Sequence, residues 1–69
     1  MDRQQVSSSN IAAIGYNETT QTLEVEFKDG SVYEYLNVPH PTFDALMAAP
    51  SHGTFLNANI KGQFPYQRL

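Results

Sequence analysis

Leu23-Glu24-Val25-Glu26-Phe27-Lys28-Asp29-Gly30-Ser31-Val32-Tyr33-Glu34-Tyr35 is the stretch on which the fold turns. Leu23, Val25 and Phe27 alternate with Thr22, Glu24 and Glu26, the period of two of a half-buried strand. Val32 to Leu36 is a second strand-forming run, and Asp-Gly between the two marks a hairpin. Its register follows from the loop length. A two-residue loop at Asp29-Gly30 sets Phe27 opposite Val32 and Val25 opposite Glu34. A three-residue loop at Lys28-Asp29-Gly30, with Gly30 left-handed, sets Val25 opposite Tyr33 and Leu23 opposite Tyr35. A slip of one residue turns every side chain over. The three-residue loop alone gathers Leu23, Val25, Phe27, Tyr33 and Tyr35 on one side, so it is the register expected. It places Glu24 opposite Glu34 on the wet face, a like-charge pair costing under about 1 kcal/mol.

Upstream, Ile11-Ala12-Ala13-Ile14-Gly15-Tyr16-Asn17 reads as a strand with Ala12, Ile14 and Tyr16 on one face, closed by a polar turn to Gln21. Residues 1–9 form a polar lead-in ending in Ser7-Ser8-Ser9-Asn10. Residues 1–7 are expected to be flexible, ahead of a single domain over 8–69. Downstream the period changes. Phe43, Leu46 and Met47 stand at i, i+3 and i+4, a one-sided helical stripe. Pro39 or Pro41 suits its first turn, and Pro50 ends it at Ala49. Ser51 is a natural N-cap for a second helix reaching about Lys61, with Leu56 and Ile60 inward and Gly62 just past its end. The tail from Gln63 to Leu69 reads as a docked extended segment and a candidate edge strand, because Pro65 fits only an edge. The fold expected is α+β: a three-stranded antiparallel β-meander, then two short helices packed on one face, then an extended C-terminal segment.

Composition removes several functions. The chain has 69 residues and no cysteine, so it fits one domain and holds neither a disulfide nor a thiol nucleophile. Seven acidic residues against four basic ones give a net charge of −3. The cations Arg3, Lys28, Lys61 and Arg68 are dispersed in sequence. A chain this acidic is not a strong general nucleic-acid binder by charge alone, although folding can gather a local patch. The longest apolar runs, Ile11 to Ile14 and Ala45 to Ala49, are far short of the roughly 20 residues of a membrane helix. The start lacks a cationic stretch followed by an apolar core, so the cytoplasm is the expected compartment and no membrane is expected as a partner. His40 and His52 are twelve apart, outside metal-ligand spacing. Neither has an evident serine-and-acid partner. Glu24, Glu26 and Glu34 fall on a solvated face, and the four glycines are scattered. No catalytic residue, metal or cofactor is expected.

Two groups of residues carry a functional alternative. Ser51-His52-Gly53-Thr54 opens a helix, where free N–H groups can hold an anion, though capping alone accounts for Ser51. Asn57 and Lys61 are four apart and share a helix face, and asparagine is a poor mid-helix residue. A ligand site, if built, falls at Ser51, Gly53, Asn57 and Lys61, with Ser9 and Asn10 alongside. Tyr33 and Tyr35 point to one face of their strand. They either stack bases or pack their rings into the core with the hydroxyls at the rim.

Ser8-Ser9-Asn10-Ile11, Ile14-Gly15-Tyr16, Asp29-Gly30-Ser31-Val32-Tyr33-Glu34-Tyr35, Val38-Pro39, Ser51-His52-Gly53, Phe55-Leu56-Asn57 and Ile60-Lys61 together resemble the KTSC domain. That small domain occurs at the C-terminus of some lysyl-tRNA synthetases and as free-standing bacterial and phage proteins, and a central Tyr-x-Tyr is its hallmark. The resemblance runs from about Val6 to the end of the chain. It implies a non-enzymatic binding module associated with RNA or the translation machinery, and carries over no catalytic residue. The alternative is a protein-interaction domain, a homodimer included, which the acidity and small core favour.

Overall fold

The hairpin forms in the three-residue register. In this computed structural model, which describes residues 3–69, β3 (Thr22–Phe27) pairs antiparallel with β4 (Val32–Tyr35). Leu23 faces Tyr35, Glu24 faces Glu34 and Val25 faces Tyr33. The loop closes by Phe27 N donating to Ser31 O at 2.8 Å. Gly30 sits at φ +93°, a left-handed conformation that a Cβ would strain. Asp29 Oδ1 accepts from Ser31 N at 2.9 Å and from Ser31 Oγ at 2.6 Å.

Among the described residues the sheet has five strands in the order β1-β2-β3-β4-β5, not the three expected. Of the lead-in expected to be flexible, Met1 and Asp2 lie outside the described residues, while Arg3–Gln5 forms β1. It pairs with β2 (Ile11–Asn17), Arg3 opposite Gly15. Gln-Gln beside Arg3 carries no apolar period, so nothing local marks a strand. Its anchor is distant. Arg3 Nε contacts a Glu24 carboxylate oxygen, and Nη1 lies 2.9 Å from Glu26. At the other edge the tail supplies β5 (Tyr66–Arg68), with Tyr66 opposite Tyr35 and Arg68 opposite Tyr33. Pro65 stands just before it, where a missing N–H costs nothing, and its carbonyl accepts from Leu36 N at 2.8 Å. The added strands also answer the like-charge pair. Arg3 covers Glu24, and Gln67 Nε2 donates to Glu34 at 2.7 Å.

β2 departs from the expected phase. Ile11 faces Phe27 but Ala13 faces Glu26, so a bulge holds Ala12 out of register. The bulge puts Ile11, rather than Ala12, on the core face with Ile14 and Tyr16. Ile11 is 0% exposed.

α1 (His40–Ala48) and α2 (His52–Asn59) cover that face. Pro39 caps α1 and Pro41 lies in its first turn. Ser51 caps α2, its Oγ accepting from Thr54 N at 3.2 Å. α2 gives way after Asn59, and Gly62 takes φ +82° beyond it. Leu46 and Leu56 reach from the helices into a core of Ile11, Ile14, Leu23, Val25 and Tyr35, flanked by Val38 and Ile60. Burying each such aliphatic side chain contributes about 1.5–3 kcal/mol. Tyr16 joins β2 to α1: its ring stacks on Phe43 at 4.6 Å, and its hydroxyl donates to Val38 O at 2.5 Å. Burial pushes that phenol up from its ordinary value. No helix among the described residues is long and apolar enough to cross a membrane.

Candidate functional site

The hairpin loop, the Ser7–Asn10 loop and α2 converge at one end of the sheet. Lys28 N donates to Asn10 O at 2.8 Å, tying the two loops together. Ser8 Oγ accepts from Asn10 N and Ile11 N, each at 3.3 Å, and folds its own loop back. α2 runs alongside. A cleft of about 330 Å³ opens between them, with Ser9 and Asn10 on one wall, Asn57 and Lys61 on the other, and Phe27, Lys28 and Asp29 from the hairpin closing the end. A neighbouring cleft of about 380 Å³ shares Ser9 and Lys28 and continues past Ser51 and His52.

Of the six site residues expected from the sequence, five line two adjoining clefts and Gly53 lines neither. Ser9, Asn10, Asn57 and Lys61 line one cleft and Ser51 lines the next. Gly53 lies against the serine loop: a Cβ there would meet Ser8 Oγ at 4.0 Å, an ordinary contact, so the position tolerates alanine. Lys28, not among the six, lines both clefts, and its only signal in the sequence was its place in the hairpin loop.

The two tyrosines part company. Tyr35 is 2% exposed, its ring within the core, and burial raises its phenol above the ordinary value. It offers no face for stacking. Tyr33 is half-buried, edge-on to Phe27 at 5.7 Å, with the Arg68 guanidinium 5.9 Å above its ring. The packed alternative holds for Tyr35, and only Tyr33 keeps an accessible ring.

Charge is unevenly spent. Arg3 lies on the outer sheet face, held by Glu24 and Glu26, which raises its pKa further. Lys28 and Lys61 line the first cleft, and among the described residues neither they nor Arg68 makes a salt bridge. Asp29 is the acid at the cleft. The Ser31 hydroxyl and N–H hold its carboxyl below the usual range, with a smaller pull from Arg68. The histidines have structural partners. His52 Nδ1 is 2.9 Å from Leu46 O, and His40 Nδ1 is 3.0 Å from Asp44. Among the described residues no group of three His, Cys, Asp or Glu side chains could hold a metal.

A family model described as the KTSC domain matches residues 7–64. Over 61 residues the chain is 49% identical to a lysine–tRNA ligase of Nostoc sp., a match covering 88% of this chain and 11% of that enzyme. The chain thus spans about a tenth of the length of such ligases. A protein of Tsukamurella paurometabola is 44% identical over 61 residues and is matched over 91% of its length. The crystal structure of a KTSC domain protein from Yersinia pestis has a TM-score of 0.93 and 40% identity, covering 99% of this chain and 96% of that one.

Proposed function

The chain belongs to the KTSC domain family, and on that premise we propose that it is a non-catalytic module that takes the phosphate backbone of RNA into the Ser9–Asn10–Lys28–Asn57–Lys61 cleft. One observation carries this reading. Lys28 and Lys61, from separate elements, converge on one cleft in a chain of net charge −3. Two ammonium groups beside serine hydroxyls and asparagine amides make a donor set suited to phosphate oxygens. The attachment of similar domains to lysine–tRNA ligases, enzymes whose named substrate is a tRNA, supports RNA as the polyanion. With only two cations engaged, affinity stays at the weak end of non-specific binding, a Kd of about 10⁻⁴ M at physiological salt. Titrating the ¹⁵N-labelled protein with a short single-stranded RNA tests this. Amide shifts are expected at Ser9, Asn10, Lys28, Asn57 and Lys61. A spectrum unchanged at these positions contradicts the reading.

A second reading, association with another protein or a second copy, has one observation in its favour. β5 is an open sheet edge, and Tyr66 and Leu69 beside it are 59% and 61% exposed. Homodimerisation predicts a melting temperature that rises with protein concentration.

A further inference from the structure

We propose that the cleft between Phe27, Tyr33 and Tyr35 is a subsite for one unstacked nucleobase, which makes the module's ligand single-stranded. The inference rests on the phosphate reading above and extends it by one subsite. This cleft, about 190 Å³, shares Phe27, Asp29 and Lys61 with the phosphate cleft and continues it onto β4. Lys61 stands on the border of the two, so a phosphate in one leaves its own base facing the other.

The walls have the chemistry of a base site. Phe27 and Tyr33 stand at 87° to one another with centroids 5.7 Å apart, an aromatic corner with one ring to stack on and one to abut. Arg68 over Tyr33 adds a cation at that wall. Such platforms accept any base, because every base has a π face. The floor supplies a directed polar group. The Tyr35 ring is buried, while its hydroxyl, which makes no hydrogen bond to another described residue, is not enclosed. Tyr35 lines this cleft, where a ligand acceptor can reach the hydroxyl. A tyrosine phenol is protonated at neutral pH, and burial raises this one further, so it is a donor to a ring nitrogen or carbonyl. On the rim, Asp29 is ionised and fixed by Ser31, an acceptor for an amino group of the base. A base paired in a duplex has these edges occupied and its faces stacked, and cannot enter.

The full chain is titrated with three fluorescent probes: a short single-stranded RNA, the same backbone with abasic sugars, and the corresponding duplex. The intact single strand is expected to bind about tenfold or more tighter than the abasic strand, as stacking of one base implies. Tyr33→Leu is expected to abolish that difference while leaving abasic binding unchanged. Tyr35→Phe, which keeps the ring and removes only the hydroxyl, reduces it several-fold. It also serves as the deciding variant if Tyr33→Leu does not fold. Lys61→Gln weakens both strands. Equal binding of intact and abasic strands, with Lys61→Gln still weakening each, overturns the base subsite and leaves the phosphate cleft standing. Equal binding of the duplex overturns it as well. No binding of any probe overturns both.

Discussion

The outer face of the sheet and the clefts at its hairpin end use charge in opposite ways. On the outer face Arg3 contacts Glu24 and Glu26, and the neutral Gln67 amide donates to Glu34. At the hairpin end Lys28 and Lys61 line the clefts beside Asp29 and Arg68 lies over the Tyr33 ring, and none of the three cations makes a salt bridge among the described residues. The difference explains why a net charge of −3 is a poor guide to partners here. The sum does not distinguish acids gathered on the outer face from cations placed at the clefts. Location, which the sum ignores, decides what a polyanion meets.

The largest expected effect tests whether the clefts depend on the core beneath them. Leu56, the residue before Asn57 on α2, is 1% exposed. Leu56→Ala should cost about 2–5 kcal/mol, read as a lower urea midpoint, and for so small a domain that approaches the whole stability. Next comes the cap that orients α2 along the cleft. Ser51→Ala is expected to cost about 1 kcal/mol, and Ser51→Asp to restore it.

The contrast between the faces is broken directly by exchanging which charge is lost. Arg3→Gln should lower the melting temperature, because Glu24, 7% exposed, loses its counter-charge. RNA affinity should not move. Lys61→Gln should do the reverse, with stability changed by no more than about 0.5 kcal/mol. If both variants shift the same property, the division between the faces is wrong.

The smallest effect is a pH dependence at Asp29. Its folded carboxyl lies below the unfolded value because Ser31 donates to the ionised form. Its contribution is therefore present above the ordinary carboxylate pKa and is lost as pH falls through the lower folded value. Wild type should exceed Asp29→Asn in melting temperature at neutral pH. The gap should close in strong acid.

What the sequence made legible was local. The period-two run from Leu23 to Phe27 and the Lys28-Asp29-Gly30 loop contained the whole hairpin register, because only one loop length kept five apolar side chains together. Ser51 as cap and Gly62 beyond α2 followed from capping chemistry. The i, i+4 spacing of Asn57 and Lys61 placed them on one helix face, and both line the same cleft. What stayed hidden was non-local. Arg3-Gln4-Gln5 has no apolar residue to betray a strand, and its place is set by carboxylates more than twenty residues away. Ile11-Ala12-Ala13-Ile14 is apolar in either phase, so the bulge that buries Ile11 left no mark in the pattern. Lys28 meets the Ser7–Asn10 loop through its N–H on Asn10 O, a contact between residues eighteen apart. Tyr33 and Tyr35 looked equivalent in sequence and differ in the fold, since Tyr35 sits over the core while Tyr33 lies two residues closer to the hairpin loop.

The most direct test of the account is the salt dependence of single-stranded RNA affinity, for the wild type and for Lys28→Gln/Lys61→Gln together. Two phosphates neutralised at the cleft predict a slope of log K against log salt of about −1.4 from these lysines, lost in the double variant. An affinity that falls with salt equally steeply in both proteins would contradict the assignment of the cleft.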